Sequence, residues 1–177
     1  MKPVNAHLQI HQGDDHRPLQ HLLNTVRRPA YTRAFTATIL MATGGFMLMP
    51  FGSDFTAHNL GIAVDRQPMI YMVVGLVTLV GGPLIGRLSD KVGKFNVFTA
   101  GSLLALVVVL IYTHLGISPI WLVMIVNVCM MLGVSSRMIS GSALMTAVPD
   151  MKDRGAFMAV NSAVQQMSGG VAALIGG

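Results

Sequence analysis

The sequence predicts an all-α membrane protein with five transmembrane helices. Three observations predict it. Hydrophobic residues make up 53% and charged residues only 11%, against roughly 25% charged in an ordinary soluble domain. That is too little charge to coat a soluble globule. The charges also fall in short islands between long apolar runs, and about 20 apolar residues span a bilayer as a helix. Finally, Lys and Arg collect in alternate islands, the pattern of positive-inside topology. That placement accounts for the net charge of +5. No basic stripe interleaves with aromatics, so no nucleic-acid partner is expected; the expected partner is membrane lipid.

Residues 1–33 form a polar leader. It lacks the apolar core and small-residue cleavage site of a secretory signal. It is expected to be a cytoplasmic linker, in which "HRPLQHLLNTV" offers a short amphipathic helix for the membrane surface. His7, His11, His16 and His21 raise the question of a metal, but their spacings match no compact ligand motif. A solvated linker explains them, and neither metal nor cofactor is expected.

The transmembrane domain is placed at 34–177, with spans at about 34–51, 68–85, 96–115, 119–148 and 155–177. Pro68 and Pro119 suit a first helical turn, where the missing N–H costs nothing. Pro149 suits a helix end. The second span closes on Gly82 and Gly86, a GxxxG face where another helix can press close. The third, "NVFTAGSLLALVVVLIYTHL", is apolar on every face, which suits a lipid-exposed position. The fourth carries Asn127, Arg137 and Gly141, and the fifth Asn161, Gln165 and Gln166. Cys129 has no partner for an internal disulfide and reads as a small buried hydrophobe. Tyr31, Tyr71, Tyr112 and Trp121 fall near span ends, as interfacial anchors do.

The leader and the loops around 87–94 and 152–154 are basic, whereas 52–67 and 114–118 hold only Arg66. The N-terminus is therefore expected in the cytoplasm and the C-terminus outside. The abrupt end at "VAALIGG" suggests a truncation or a piece of a larger architecture.

The stretch "GRLSDKVGKF" is expected to be a tight loop of about ten residues between two spans. Gly86 and Gly93 permit close approach and unusual backbone geometry. Asp90 suits the free N–H groups of a neighbouring helix start. Arg87, Lys91 and Lys94 suit carboxylates or lipid phosphates. The pattern Gly-x-x-x-Asp-Lys-x-Gly-Lys resembles the signature loop of the major facilitator superfamily. Gly86, Asp90, Lys91, Gly93 and Lys94 match it position by position, and Phe95 departs where a second basic residue is common.

The resemblance extends along most of the chain. "RMISGSALMTAVPDMKDRGAFMAVNSAVQQMSGGVAALIGG" is similar to the tenth and eleventh helices of drug- or sugar-efflux members. It implies helices seven to eleven of the C-terminal half bundle, a small-molecule substrate, a bacterial inner-membrane location and a partner in the missing N-terminal half. It also implies a gating role for Gly86, Arg87, Asp90, Lys91, Gly93 and Lys94. Arg137, Ser140, Gly141 and Ala143 also resemble the fourth helix's Arg-x-x-x-Gly. Ala172-Ala173, however, stand where the fifth helix usually carries Gly-Pro. A nonfunctional fragment, or a half acting with a separately encoded partner, is the alternative.

Arg137 is the only charge deep in a span, about 16 Å from Val148 at helical rise. Such a residue is by default a functional-site hypothesis. Arg137, Asn161 and Gln165 are the substrate-cavity candidates. The alternatives are a structural pairing for Arg137 and interhelical hydrogen bonds for the amides. No Asp or Glu lies within a span, and no phosphate loop, nucleophile elbow or zinc motif appears. An enzyme is not expected.

Overall fold

The computed structural model describes residues 25–48 and 50–176. The four leader histidines and most of the proposed amphipathic segment lie outside the described residues. The elements are α1 (Pro29–Leu48), α2 (Gly52–His58), a 3-10 turn (Val64–Arg66), α3 (Gln67–Val92), α4 (Lys94–His114), α5 (Ile120–Met145) and α6 (Arg154–Gly176). The five long helices fall on the five expected spans, and no strand occurs among the described residues.

Among the described residues, four stretches are long and apolar enough to cross a membrane: Pro29–His58, Val64–Val92, Lys94–His114 and Ile120–Met145. Helix α6 has the length, at 23 residues. Its Asn161, Ser162, Gln165, Gln166 and Ser168 dilute the apolar character that the others carry. Five spans is thus the count of long helices, and four is the count that length and hydropathy support.

One expectation needs correcting. The segment Gly86–Lys94 is not an irregular loop: α3 runs through to Val92, α4 starts at Lys94, and Gly93 alone separates them. Charged residues mark where the apolar stretch stops, which is not where the helix stops. Arg87 and Lys91 occupy the last turns of α3, where cations complement the negative end of the helix dipole. Gly93 makes the turn at φ +101°, ψ 134°, a conformation that essentially only glycine adopts without strain. Within α3, Pro83 removes one helical hydrogen bond, which membrane helices tolerate.

Helix α5 packs on both α4 and α3, while α1 and α6 pair with each other. On α4 the buried positions are Val97, Gly101, Ala105, Val108 and Tyr112. Their spacing of three and four makes a single stripe facing α5. The opposite face exposes Leu103, Leu106, Val107 and Leu110. The α4–α5 crossing is backbone to backbone. A Cβ on Gly101 would lie 3.0 Å from the Gly133 carbonyl oxygen, and one on Gly133 would lie 2.9 Å from the Ala105 nitrogen.

Two buried clusters close the ends. One joins Leu60, Ile62, Ile70, Val74, Val108, Tyr112, Val123 and Val126, under α2. There the Tyr112 and Thr56 hydroxyls hydrogen-bond at 2.7 Å. The other joins Tyr31, Ala34, Phe35 and Phe157, where α1 meets α6. Tyr31 and Tyr112 are thus buried, at 4% and 9% exposure, and are not membrane-interface anchors; Tyr71 and Trp121 remain exposed at helix ends.

Candidate functional site: the α1–α5–α6 crevice and the Gly93 turn

Three contacts along α1 set the crevice. The Thr38 hydroxyl donates to Asn161 Oδ1 at 2.7 Å, tying α1 to α6. One turn on, Met41 Cε lies 3.1 Å from where a Gly141 Cβ would sit, so Gly141 admits α1 against α5. Another turn on, Arg137 Nη2 lies 4.0 Å from the Cβ position of Gly45. Positions 38, 41 and 45 share one helix face. Arg137 and Asn161 therefore both turn toward α1, about 10 Å apart along it. Gln165 lies one turn beyond Asn161 on the same helix, half-buried, and its side chain makes no hydrogen bond among the described residues.

Arg137 sits about 12 Å inside the end of α5 at Met145. Its Nε is buried and has no hydrogen-bond partner among the described residues. Burying a polar group without a partner is costly, and a charged one more so. Asn127, the weaker candidate, donates to the Val123 carbonyl at 2.9 Å within its own helix.

At the Gly93 turn, a cavity of about 530 Å³ is lined by Ser89, Asp90, Gly93, Lys94, Phe95, Asn96 and Leu144. The Ser89 hydroxyl faces Ser140 at 3.2 Å, both buried, which fixes the end of α3 to α5. Asp90, Arg87, Lys91 and Lys94 are exposed and form no ion pair among the described residues. The expected cap of Asp90 on a neighbouring helix start is absent among those residues. Gly82 and Gly86 have nothing within 4 Å of their Cβ positions, so no helix of the described residues uses that face.

A group that sequence reasoning missed lies where α1 begins. Arg28 Nη1 contacts Asp153 Oδ2 at 2.7 Å and Asp150 Oδ2 at 3.2 Å. The Tyr31 hydroxyl donates to Asp153 at 3.1 Å and accepts from the Asp150 N–H at 3.2 Å. Beneath it, the Phe157 ring meets Tyr31 edge-on at 5.2 Å and stacks on Phe35 at 4.9 Å. The Tyr31 hydrogen bond, and then the Asp153 charge, raise the Arg28 pKa above its ordinary value. Only the basic character of the 152–154 segment and the aromatic at 31 signalled this cluster in the sequence.

Long antiparallel apolar helices, a one-residue charged turn and a guanidinium held at mid-depth define a polytopic helical membrane protein. The profile of the Major Facilitator Superfamily matches residues 34–177. The chain belongs to that family of membrane transporters. No curated protein and no solved structure matches the chain.

Proposed function

We propose that the chain forms the C-terminal half, helices seven to eleven, of a secondary active transporter of the drug- or sugar-efflux kind. It moves a small solute across a bacterial inner membrane by alternating access, with its N-terminus and the Gly93 turn on the cytoplasmic side. Residues before about 33 act as the linker between halves. A second bundle, in the same or a separate chain, covers the open crevice. The substrate meets Arg137, Asn161 and Gln165 near mid-membrane, where transporters of this build bind.

The observation that carries this reading is the family match over residues 34–177, with its signature pattern at the Gly93 turn. Gly86, Arg87, Asp90, Lys91, Gly93 and Lys94 gate the cytoplasmic side. The four charges there are exposed and unpaired within the described residues, so they are open to partners on a second bundle. Gly82 and Gly86 offer that bundle a face without side chains.

The test is efflux of labelled sugars and drug-like compounds from cells carrying the whole transporter. Asp90→Asn is expected to cut efflux while leaving the membrane level of the protein intact. Wild-type efflux in that variant would remove the gating role.

A further inference from the structure

We propose that the crevice beside Gly44 and Gly45 is a subsite for an anionic group of the solute, a carboxylate or phosphate, held by the Arg137 guanidinium. This deepens the transporter reading above and rests on it. The first observation is charge bookkeeping. Arg137 carries a buried Nε with no partner among the described residues. Among the described residues no carboxylate pairs with it, and the chain's seven acidic residues are all Asp. Two are in the leader, Asp54 and Asp65 lie in α2 and the 3-10 turn, and Asp90 is at the far end of α3. Asp150 and Asp153 are taken by Arg28.

The second observation is space. A Cβ on Gly44 would meet nothing within 4 Å, and one on Gly45 would meet only Arg137 Nη2, at 4.0 Å. Both glycines are exposed. The guanidinium therefore borders an open notch where α1 has no side chains. Its planar fork presents donors in the geometry that carboxylate and phosphate accept two at a time. Those bonds are stronger away from bulk water. Asn161 stands two turns down α1, held by Thr38, and leaves the charge to select the solute.

The experiment uses the purified chain in neutral maltoside micelles free of phospholipid, which removes lipid headgroups as a source of phosphate. The Arg Nε–H resonances are followed by nitrogen–proton correlation, and the Arg137 signal is assigned by its loss in Arg137→Gln. Benzoate and inorganic phosphate are the probes, with benzamide as the neutral control. One or both anions are expected to move the Arg137 signal saturably, while benzamide leaves it in place. Anion affinities of the wild type and the variants are compared by isothermal titration calorimetry, because Arg137→Gln has no Arg137 signal, and Arg137→Gln is expected to weaken binding about tenfold or more, the worth of a buried charge-assisted bond. Gly45→Leu keeps the charge but fills the notch, and weakens binding similarly.

An Arg137 signal indifferent to both anions would overturn the subsite. So would wild-type binding in Arg137→Gln, or a signal already fixed by a carboxylate of another chain. Binding is read at equilibrium, without transport. Lost binding beside intact efflux therefore sinks the subsite alone, and intact binding without any efflux sinks the transporter reading alone.

Discussion

Asp153 is the one buried carboxylate among the described residues, at 4% exposure, and it faces both Arg28 and Tyr31. Removing it takes the acceptor from the Tyr31 hydroxyl and the shorter of two ion-pair contacts from Arg28, whereas Asp150 is a largely exposed partner whose side chain keeps 69% of its surface. Asp153→Ala is therefore expected to lower stability by about 1–3 kcal/mol. Asp150→Ala should cost about 1 kcal/mol or less. Thermal unfolding in detergent separates the two, and equal losses would show that the cluster is merely a surface ion pair. Thr38→Ala removes a single interhelical bond and should cost about 0.6 kcal/mol, the average for such bonds in a membrane protein. Arg137 was legible from sequence because a lone charge in an apolar run stands out without any structure. The Arg28–Tyr31–Asp153 cluster was not: Tyr31 and Asp153 are 122 positions apart, and each residue has an ordinary reading alone, as linker, interfacial aromatic or loop charge.

Glycine shows how spacing within one helix differs from contact between two. Gly82 and Gly86 carry the GxxxG spacing, yet no atom of another described helix lies within 4 Å of either Cβ position. Gly101 and Gly133 sit on different helices, carry no shared motif, and make a crossing of backbone on backbone. Gly133→Ala would set a Cβ 2.9 Å from the Ala105 backbone nitrogen, where no side chain can give way. We expect a loss of about 1–3 kcal/mol for it, and a change within about 0.5 kcal/mol for Gly82→Ala in the isolated chain. Detergent melting curves of the two variants give the comparison. A tolerated Gly133→Ala would mean that α4 and α5 pack more loosely than these distances state. Helix existence was legible from the apolar runs, which need no partner to be recognised. Helix ends at the charged turn were not, since Arg87 to Lys91 are as compatible with a solvated helical turn as with a loop. Only the backbone conformation of Gly93 places the break.

The molecule as a whole buries little of itself. Between 17% and 25% of an apolar 18-residue window in each candidate span is buried, and residues such as Leu79, Val80, Leu106 and Leu174 lie on the outside. In water so much exposed apolar surface would aggregate; in lipid it is the solvated face. The helices alternate direction, so the start of α1, the Gly93 turn and the α5–α6 turn share one end. The segment holding α2 and the α4–α5 connection share the other, where the Ser118 N–H donates to the Leu60 carbonyl at 3.3 Å. Basic residues gather at the first end, with Arg28, Arg87, Lys91, Lys94, Lys152 and Arg154, while the second holds Arg66. By the positive-inside rule the first end is expected to be the cytoplasmic one. That orientation is testable with Cys129→Ala as background, because Cys129 is the chain's single cysteine. Ile117, 90% exposed in the α4–α5 connection, and Lys152, exposed in the α5–α6 turn, each become a lone cysteine. A membrane-impermeant maleimide applied to intact cells is expected to label Ile117→Cys at once and Lys152→Cys only after permeabilisation. The reverse order would invert the topology and move the Gly93 turn away from the cytoplasm. Equal labelling of both before permeabilisation would mean that the chain does not span the membrane.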